Sequence, residues 1–209
     1  MLQTENLTFQ YKKGEEILKF PNITLKKRDN LLILGKSGIG KTTLLHLCAG
    51  LLTPLNGKIT INKTDINYLS NNKLNKFRGK NIGLVFQKNH LVHSLNVIEN
   101  LQARLFFSKN NKNNKLIEDL LKQLDIYELK KQKVNKLSEG QLQRLGIALA
   151  VIHNPKIILA DEPTSSLDDQ NCKTVIKLLK KQAELNNANL IVITHDHRLK
   201  SHFQNSITL

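Results

Sequence analysis

Four short runs of apolar residues stand out along the chain, at 31–34, 82–86, 157–160 and 190–193. Polar or turn-forming residues flank each run, and within none of them do apolar and polar side chains alternate. Continuous apolar runs of this length are typical of strands that are covered on both faces, as in a parallel sheet. We therefore predict that these runs form buried, parallel strands.

Between the predicted strands, apolar residues recur at the spacing of amphipathic helices. One such segment, 41–51, directly follows a glycine-rich turn. The other helical stripes are Val97, Leu101 and Leu105; Leu116, Leu120 and Leu124; and Leu142, Leu145, Leu149 and Ile152. Strands that alternate with helices predict an α/β fold with a largely parallel central sheet.

The spacing of the strands predicts how the chain is organised. Most of the long interval between the second and third runs is helical in pattern, which favours a helical subdomain inserted between two strands of the sheet. We predict one domain, 1–209, in which 1–87 and 154–209 form an α/β lobe and 88–153 form the helical subdomain. Within that subdomain, the polar stretch SKNNKNNK at 108–115 predicts an exposed loop.

The first part of the chain has a different pattern, because apolar residues there come in closely spaced pairs. These pairs are Leu7 and Phe9, Ile17 and Phe20, Ile23 and Leu25, and Ile59 and Ile61. Short alternation is typical of antiparallel strands with one covered face, so we predict an antiparallel β layer beside the main sheet.

Composition excludes several classes of protein. With 40% hydrophobic and 23% charged residues, the 209-residue chain is typical of a globular protein. It has no apolar stretch of the roughly 20 residues that a membrane span needs, and its N-terminus has no signal-peptide core. We expect a protein that is neither secreted nor membrane-spanning, with Cys48 and Cys172 as reduced thiols.

A net charge of +15 raises the possibility of nucleic-acid binding. Most of this charge comes from lysine, whereas base readout favours arginine, and the aromatic residues that stack on bases make up only 5% of the chain. We therefore favour a solvated lysine surface over a nucleic-acid footprint.

The strongest chemical motif is GKSGIGKT at 35–42, a full match to the phosphate-binding P-loop. It follows a predicted strand and precedes a predicted helix, which is the context that the motif requires. Its glycines allow backbone N–H groups to surround phosphate oxygens. We expect Lys41 to contact the β- and γ-phosphates and Thr42 to supply a hydroxyl to Mg²⁺.

A pair of acidic residues, Asp161 and Glu162, follows the predicted strand at 157–160. A carboxylate at the end of a buried strand must be paired or lie near a metal ion. Taken alone, the pair is more often a helix cap or a solvated turn. Together with the P-loop, it predicts Asp161 as a ligand of Mg²⁺ and Glu162 as the group that polarises the attacking water.

A third motif, LSEGQ at 137–141, precedes an amphipathic helix. Ser138 and Gln141 have the spacing of a capping box, so a purely structural role is one interpretation. The same helix N-terminus could instead bind a phosphate group.

The order of these motifs, with Gln87 between the first two and Ser166-Leu167-Asp168 and Thr194-His195-Asp196 after them, resembles the ATP-binding subunit of an ABC transporter. The resemblance covers about residues 2–200, and LSEGQ is its diagnostic element. It is similar in particular to the lipoprotein-release, macrolide-export and cell-division branch. The nucleotide-binding residues that it implies are Tyr11, Gly35, Lys36, Ser37, Gly38, Ile39, Gly40, Lys41, Thr42, Thr43, Ser138, Gly140, Gln141 and Asp168.

The resemblance also implies a role for each motif. Tyr11 would stack on adenine, and Gln87 would contact Mg²⁺ and the attacking water. The LSEGQ element would close over the ATP held by a second subunit, and Asp168 would lie in the loop that crosses the dimer interface. Glu162 would be the catalytic carboxylate, and His195 would contact the γ-phosphate.

Two positions depart from the family pattern. Glu139 replaces the first of two signature glycines, and we expect its carboxylate to point away from the nucleotide. Ser166 stands where the family often has alanine. The alternative that His195 and His197 bind a metal ion lacks an evident third ligand.

The assembly implied by the resemblance is a head-to-tail homodimer that encloses two Mg-ATP. Separate integral membrane subunits would dock near 87–107, at the cytoplasmic face of the plasma membrane. We expect no nucleic-acid partner. Two alternatives stay open: a soluble ABC ATPase of DNA repair or translation, and a regulatory subunit that binds ATP without turnover.

Overall fold

The computed structural model describes residues 1–87, 90–108, 113–165 and 167–209. Its main sheet consists of the parallel strands β4 (Asn30–Leu34), β7 (Ile82–Val85), β8 (Ile157–Asp161), β9 (Asn189–Thr194) and β10 (Asn205–Thr208), in the order β10-β4-β9-β8-β7. The parallel sheet predicted from the apolar runs is confirmed. Phe86 lies outside β7, whereas β8 extends one residue beyond its predicted run, to Asp161, and β9 extends one residue at each end, to Asn189 and Thr194.

An antiparallel sheet lies beside this core, as predicted. It contains the strands β1 (Leu2–Phe9), β2 (Leu18–Lys19), β3 (Ile23–Leu25), β5 (Asn56–Ile61) and β6 (Thr64–Asp65). Strand β1 is its centre, because β2, β3 and β5 all pair with it. Ile17 is an exception among the predicted pairs, since it precedes β2 and its side chain is exposed.

Helices cover both faces of the parallel sheet. They are α1 (Lys41–Cys48), α2 (Asn71–Asn81), α3 (Val97–Phe107), α4 (Asn114–Gln123), α5 (Glu139–Val151) and α6 (Asp169–Leu185). The segment predicted at 41–51 ends early, at Cys48, because Gly50 adopts a left-handed conformation with φ +63°. Single 3₁₀ turns lie at Tyr127–Leu129, Val134–Lys136 and His197–His202.

Alternate residues of β4, β7, β8 and β9 face two separate hydrophobic clusters, as the two-residue period of a strand requires. In β4, Leu31 and Ile33 pack with α1 and the antiparallel sheet, whereas Leu32 and Leu34 pack with α3, α4, α5 and α6. The molecule is therefore layered, and the parallel sheet is covered on both faces.

The stretch that we predicted as an exposed loop in the helical region is partly helical. Helix α4 begins at Asn114, inside the stretch 108–115 that we predicted as a loop. Residues 109–112 of that stretch lie outside the described residues, as do 88–89 at the start of the predicted helical subdomain and Ser166. Among the helices of the described ranges, none is long and apolar enough to cross a membrane.

Candidate nucleotide-binding site

The loop 35–40 connects β4 to α1 at the carboxyl end of the parallel strands. Gly38 and Gly40 have φ values of +83° and +104°, which side chains disfavour. A Cβ atom on Gly40 would also lie 3.3 Å from the ring of Phe20, and one on Gly35 would lie 2.9 Å from Cγ2 of Ile39. The glycines of the motif are therefore required by local geometry.

Lys41 is the first residue of α1, and its side chain is buried at the mouth of this loop. Its Nζ donates hydrogen bonds to the carbonyl oxygens of Gly35, at 2.8 Å, and Lys36, at 3.0 Å. The same Nζ lies 3.8 Å from Oε1 of Glu162. The ammonium group is thus held where the loop, α1 and the end of β8 meet.

Asp161 is the last residue of β8 and is 7% exposed. Burial raises the pKa of its carboxyl group, and a hydrogen bond with the Thr42 side chain opposes this effect. Its Oδ1 is buried and has no hydrogen-bond partner among the described residues. An unpartnered carboxylate oxygen beside a threonine hydroxyl is the kind of oxygen-donor set that Mg²⁺ prefers, so these residues fit the ion.

Glu162 follows directly and adopts a left-handed backbone conformation with φ +46°. Its carboxylate accepts hydrogen bonds from Oγ1 of Thr194 at 2.7 Å and from the backbone N–H of His195 at 3.1 Å. Nδ1 of His195 lies 2.9 Å from Oε1 of the same carboxylate. Thr194 and His195 at the end of β9 therefore hold the Glu162 side chain.

Gln87 approaches this group from the end of β7. Its Nε2 lies 3.5 Å from Oγ of Ser165, and that hydroxyl donates to the backbone carbonyl of Glu162 at 3.2 Å. Gln87 is therefore linked to the loop of Glu162 through one serine.

Tyr11 lies on the other side of the loop. Its hydroxyl group is 2.6 Å from Oγ1 of Thr43, and its ring packs edge-on against Phe9 with 4.8 Å between centroids. The Tyr11 side chain is otherwise 61% exposed. The aromatic ring is thus positioned from two directions but remains accessible.

Most of these residues line one open cavity of about 550 Å³, whereas the predicted site residues Gly35, Lys36, Ile39 and Asp161 are not among its lining residues. The predicted site residues among its walls are Tyr11, Ser37, Gly38, Gly40, Lys41, Thr42, Thr43, Gln87, Glu162 and His195. The carboxylates of Glu15 and Glu16, which the sequence did not single out, also line it. Thr194 was missed as well, although its position directly before His195 was a usable signal.

The LSEGQ element does not line this cavity. Ser138 is the N-cap of α5, and with Gln141 it forms the capping box that the spacing predicts. Ser138 and Glu139 are exposed. Within the described ranges, a Cβ atom on Gly140 would have one neighbour inside 4 Å, Oδ1 of Asn171 at 3.9 Å. The element is therefore an accessible helix N-terminus apart from the P-loop cavity of its own chain.

Asp168 is also separate from the cavity and is the N-cap of α6. Its carboxylate accepts hydrogen bonds from the backbone N–H and from Nδ2 of Asn171, both at 2.8 Å. These bonds lower the pKa of Asp168. Three predicted elements thus lie at helix N-termini, namely the P-loop, LSEGQ and Asp168, and only the first borders the cavity.

A second groove, of about 480 Å³, lies between the sheet and the helical region. Residues of α2, β7, α3 and α5 line it, and most of its walls are apolar. Leu51, Val92 and Phe107 at this groove are exposed large apolar side chains. Exposed apolar surface of this kind marks interaction sites.

Comparison with known proteins identifies similar chains. The family described as "ABC transporter" matches residues 18–165. The lipoprotein-releasing system ATP-binding protein LolD of Buchnera aphidicola subsp. Acyrthosiphon pisum is 37% identical over 199 residues, which cover 93% of this chain and 87% of that protein. The uncharacterized ABC transporter ATP-binding protein MJ0796 of Methanocaldococcus jannaschii is 38% identical, with 94% and 87% covered.

Solved structures agree with these sequence relationships. The dimeric post-hydrolysis state of the MJ0796 cassette, bound to ADP and Pi, superposes with a TM-score of 0.89 at 35% identity and covers 100% of this chain and 94% of that chain. The cbiO1 protein of Clostridium perfringens, described as part of the transporter complex cbiONQ, gives 0.88 at 31% identity, with 99% and 83% covered.

Proposed function

Because the chain belongs to the ABC transporter family, we propose that it is an ATP-hydrolysing subunit that powers a membrane transporter. The observation that carries this proposal is one cavity in which Lys41 and Glu162 face each other beside His195. Such a cavity combines a cation for phosphate oxygens with a carboxylate that can act on water.

We assign the chemistry to residues of this cavity. The loop 35–40 and Lys41 bind the phosphates of ATP, and Tyr11 packs on the adenine ring. Glu162 accepts a proton from water as that water oxygen attacks the γ-phosphorus, while the bond to the β-phosphate oxygen breaks and ADP leaves. Thr194 and His195 hold the carboxylate in place during this step.

A bound Mg²⁺ ion would neutralise charge that develops on the phosphate oxygens. Thr42 and Asp161 would hold it, with Gln87 as a further oxygen donor. The unpartnered Oδ1 of buried Asp161 supports this assignment.

We propose that two copies form a head-to-tail dimer. Ser138, Gly140 and Gln141 of one copy would then cover the ATP in the P-loop of the other, and Asp168 would lie at the interface. Their accessible position outside the cavity of their own chain supports this arrangement. The α/β lobe (1–87 and 154–209) would move relative to the helical subdomain (88–153) as the dimer closes.

We further propose that integral membrane subunits dock in the apolar groove between the sheet and the helical region. We propose that the protein would then work at the cytoplasmic face of the membrane. The similarity to LolD proteins favours lipoprotein release or a related mechanical task as the work that ATP drives.

The Glu162→Gln variant tests the enzymatic part. Loss of the general base should lower ATPase activity about 100-fold or more, and ATP-dependent dimers should accumulate in light scattering. Lys41→Ala is the matched control, because it should bind no nucleotide and form no dimer. A Glu162→Gln variant that hydrolyses ATP at the normal rate would refute the assignment.

The same variant tests the transport part. Tagged Glu162→Gln protein should recover one or two polytopic membrane proteins from detergent-solubilised membranes of its source when Mg-ATP is present, but not when it is absent. Recovery of soluble proteins or nucleic acid alone would instead support an ABC ATPase of DNA repair or translation.

A further inference from the structure

Arg198 makes a two-ended contact near the candidate site. Its Nε lies 3.0 Å from each carboxylate oxygen of Asp196, and its Nη2 lies 2.7 Å from Oδ2 of the same residue. Its Nη1 donates to Oδ1 of Asp169, which is the first residue of α6. One side chain therefore joins the segment that follows β9 to the start of α6.

The first end of this contact continues into the catalytic group. The backbone N–H of Asp196 donates to Oγ1 of Thr194 at 3.0 Å, and that hydroxyl donates to Oε2 of Glu162 at 2.7 Å. His195 lies between Thr194 and Asp196 in the chain. A continuous path of hydrogen bonds thus connects Arg198 to the carboxylate that we propose acts on water.

The second end reaches the residues that we propose lie at the dimer interface. Asp169 follows Asp168, and the Asp168 carboxylate caps α6 through Asn171. The Arg198 guanidinium therefore connects the segment that contains His195 to the segment that contains Asp168.

The chemistry of this contact favours a firm connection over an incidental ion pair. Isolated ion pairs at a surface contribute little, but a planar guanidinium that binds two carboxylates forms a network with defined geometry. The Asp196 side chain is only 11% exposed, whereas the Asp169 side chain is 77% exposed, and hydrogen bonds from Arg198 lower the pKa of Asp196. Without Arg198, Asp169 and Asp196 would face each other as like charges.

We propose that Arg198 is a positioning residue that makes closure of the dimer at Asp168 and placement of His195 against the γ-phosphate a single movement. This inference rests on the proposed function. It adds a connection within one chain, between the site that hydrolyses ATP and the surface that meets the second copy.

The test is Arg198→Gln, which removes the positive charge and the guanidinium that binds the two carboxylates. We expect kcat for ATP to fall roughly tenfold, because the reacting groups are no longer held in register. Binding of a fluorescent ADP analogue to the monomer should change less than about twofold, because the variant leaves the P-loop intact. In the Glu162→Gln background, the ATP concentration for half-maximal dimer formation should rise about fivefold.

Asp169→Asn removes the other end of the contact and should lower kcat by a similar factor. The double variant should lose little more than either single variant, because both break one connection. Asp169→Asn also keeps the test valid if Arg198→Gln does not fold.

Arg28→Gln is the matched control. The Arg28 guanidinium binds Asn187 near the amino ends of β4 and β9, so this variant should leave kcat unchanged. An Arg198→Gln variant with normal kcat, or additive losses in the double variant, would overturn the proposal. Failure of the proposed function is distinct, because then the unmodified protein would show no ATPase activity and Glu162→Gln would form no ATP-dependent dimer.

Discussion

Asp161 is the residue at which function most clearly opposes stability. A buried carboxylate with an unpartnered oxygen disfavours the folded state whenever it is ionised, and its raised pKa expresses this cost. Below its unfolded pKa the carboxyl group is protonated in both states, and the folded protein is then at its most stable with respect to this group. As the pH rises through the folded pKa, the group ionises in the folded state and this stability is lost. At neutral pH the ionised side chain therefore destabilises the nucleotide-free protein.

We therefore predict that Asp161→Asn stabilises the nucleotide-free protein at pH 7.5. The melting temperature should rise by about 2–4 °C in differential scanning calorimetry, and the gain should shrink as the pH approaches 4. Asp119→Asn, at an exposed position of α4, should leave the melting temperature nearly unchanged. A lower melting temperature for Asp161→Asn at pH 7.5 would contradict this account.

At the level of residues, ten of the residues that the motifs singled out line the cavity, among them Tyr11 and His195. The motifs could not indicate that Thr194 donates to Glu162, or that Tyr11 bonds to Thr43. The first contact depends on the pairing of β8 with β9, and the second depends on how the segment after β1 packs against α1. A motif carries no information about either. Ser138 shows a further limit, because a capping box and a nucleotide-binding element require the same residues.

At the level of elements, His153 joins a strand and two helices. It follows α5 and lies beside the backbone carbonyl of Ile82, the first residue of β7, at 3.1 Å from Nε2. Nη2 of Arg104, in α3, lies 3.3 Å from Nδ1 and 3.1 Å from Nε2 of the same ring. Burial and the Arg104 charge lower the pKa of His153 to about 4. The junction therefore requires a neutral imidazole that donates to Ile82.

This junction predicts a specific loss of stability in acid. Between the unfolded pKa near 6.5 and the folded pKa of about 4, the unfolded state binds the additional proton, so stability falls as the pH falls. The unfolding free energy of the unmodified protein should drop by roughly 3 kcal/mol more than that of His153→Gln across this range. Urea titrations at several pH values measure the difference.

His197→Gln provides the control for this experiment, because the His197 side chain is exposed rather than buried in the junction. Its stability should follow that of the unmodified protein at every pH. Parallel curves for His153→Gln and the unmodified protein would show that the junction does not depend on a neutral imidazole.

The elements themselves were predictable to different degrees. The buried strands β4, β7, β8 and β9 were evident because both of their faces are apolar. Strand β10 was not predicted, since it is short and largely exposed at the edge of the sheet. Helix α2 was missed because it buries no residue completely and so has no clear apolar stripe. The positions of β10 and α2 depend more on tertiary contacts than on the local pattern of apolar residues.

At the level of the whole molecule, the charge of +15 affects assembly more than fold. Two copies that approach each other carry like net charge, and this repulsion acts over the Debye length. Mg-ATP compensates only a small part of it. Dimer formation must therefore overcome a long-range electrostatic cost that salt can reduce.

We predict that moderate salt strengthens the ATP-dependent dimer of Glu162→Gln. Between about 10 mM and 150 mM NaCl, the screening length shortens from roughly 30 Å to 8 Å, and the Kd should fall about two- to fivefold. Sedimentation velocity at saturating Mg-ATP measures this change. A Kd that rises with salt would mean that attractive charge pairs in the interface outweigh the net repulsion.

The left-handed backbone of Glu162 has a consequence for laboratory evolution. Glycine and asparagine adopt this conformation more readily than glutamate does, at a saving of about 1 kcal/mol or more. In a library randomised at position 162 and screened only for survival after heating, this backbone preference would offset part of the loss of the Thr194 and His195 hydrogen bonds, so glycine and asparagine should outlast other replacements. Each of them removes the proposed catalytic carboxylate, so the replacements that survive heating best would be inactive.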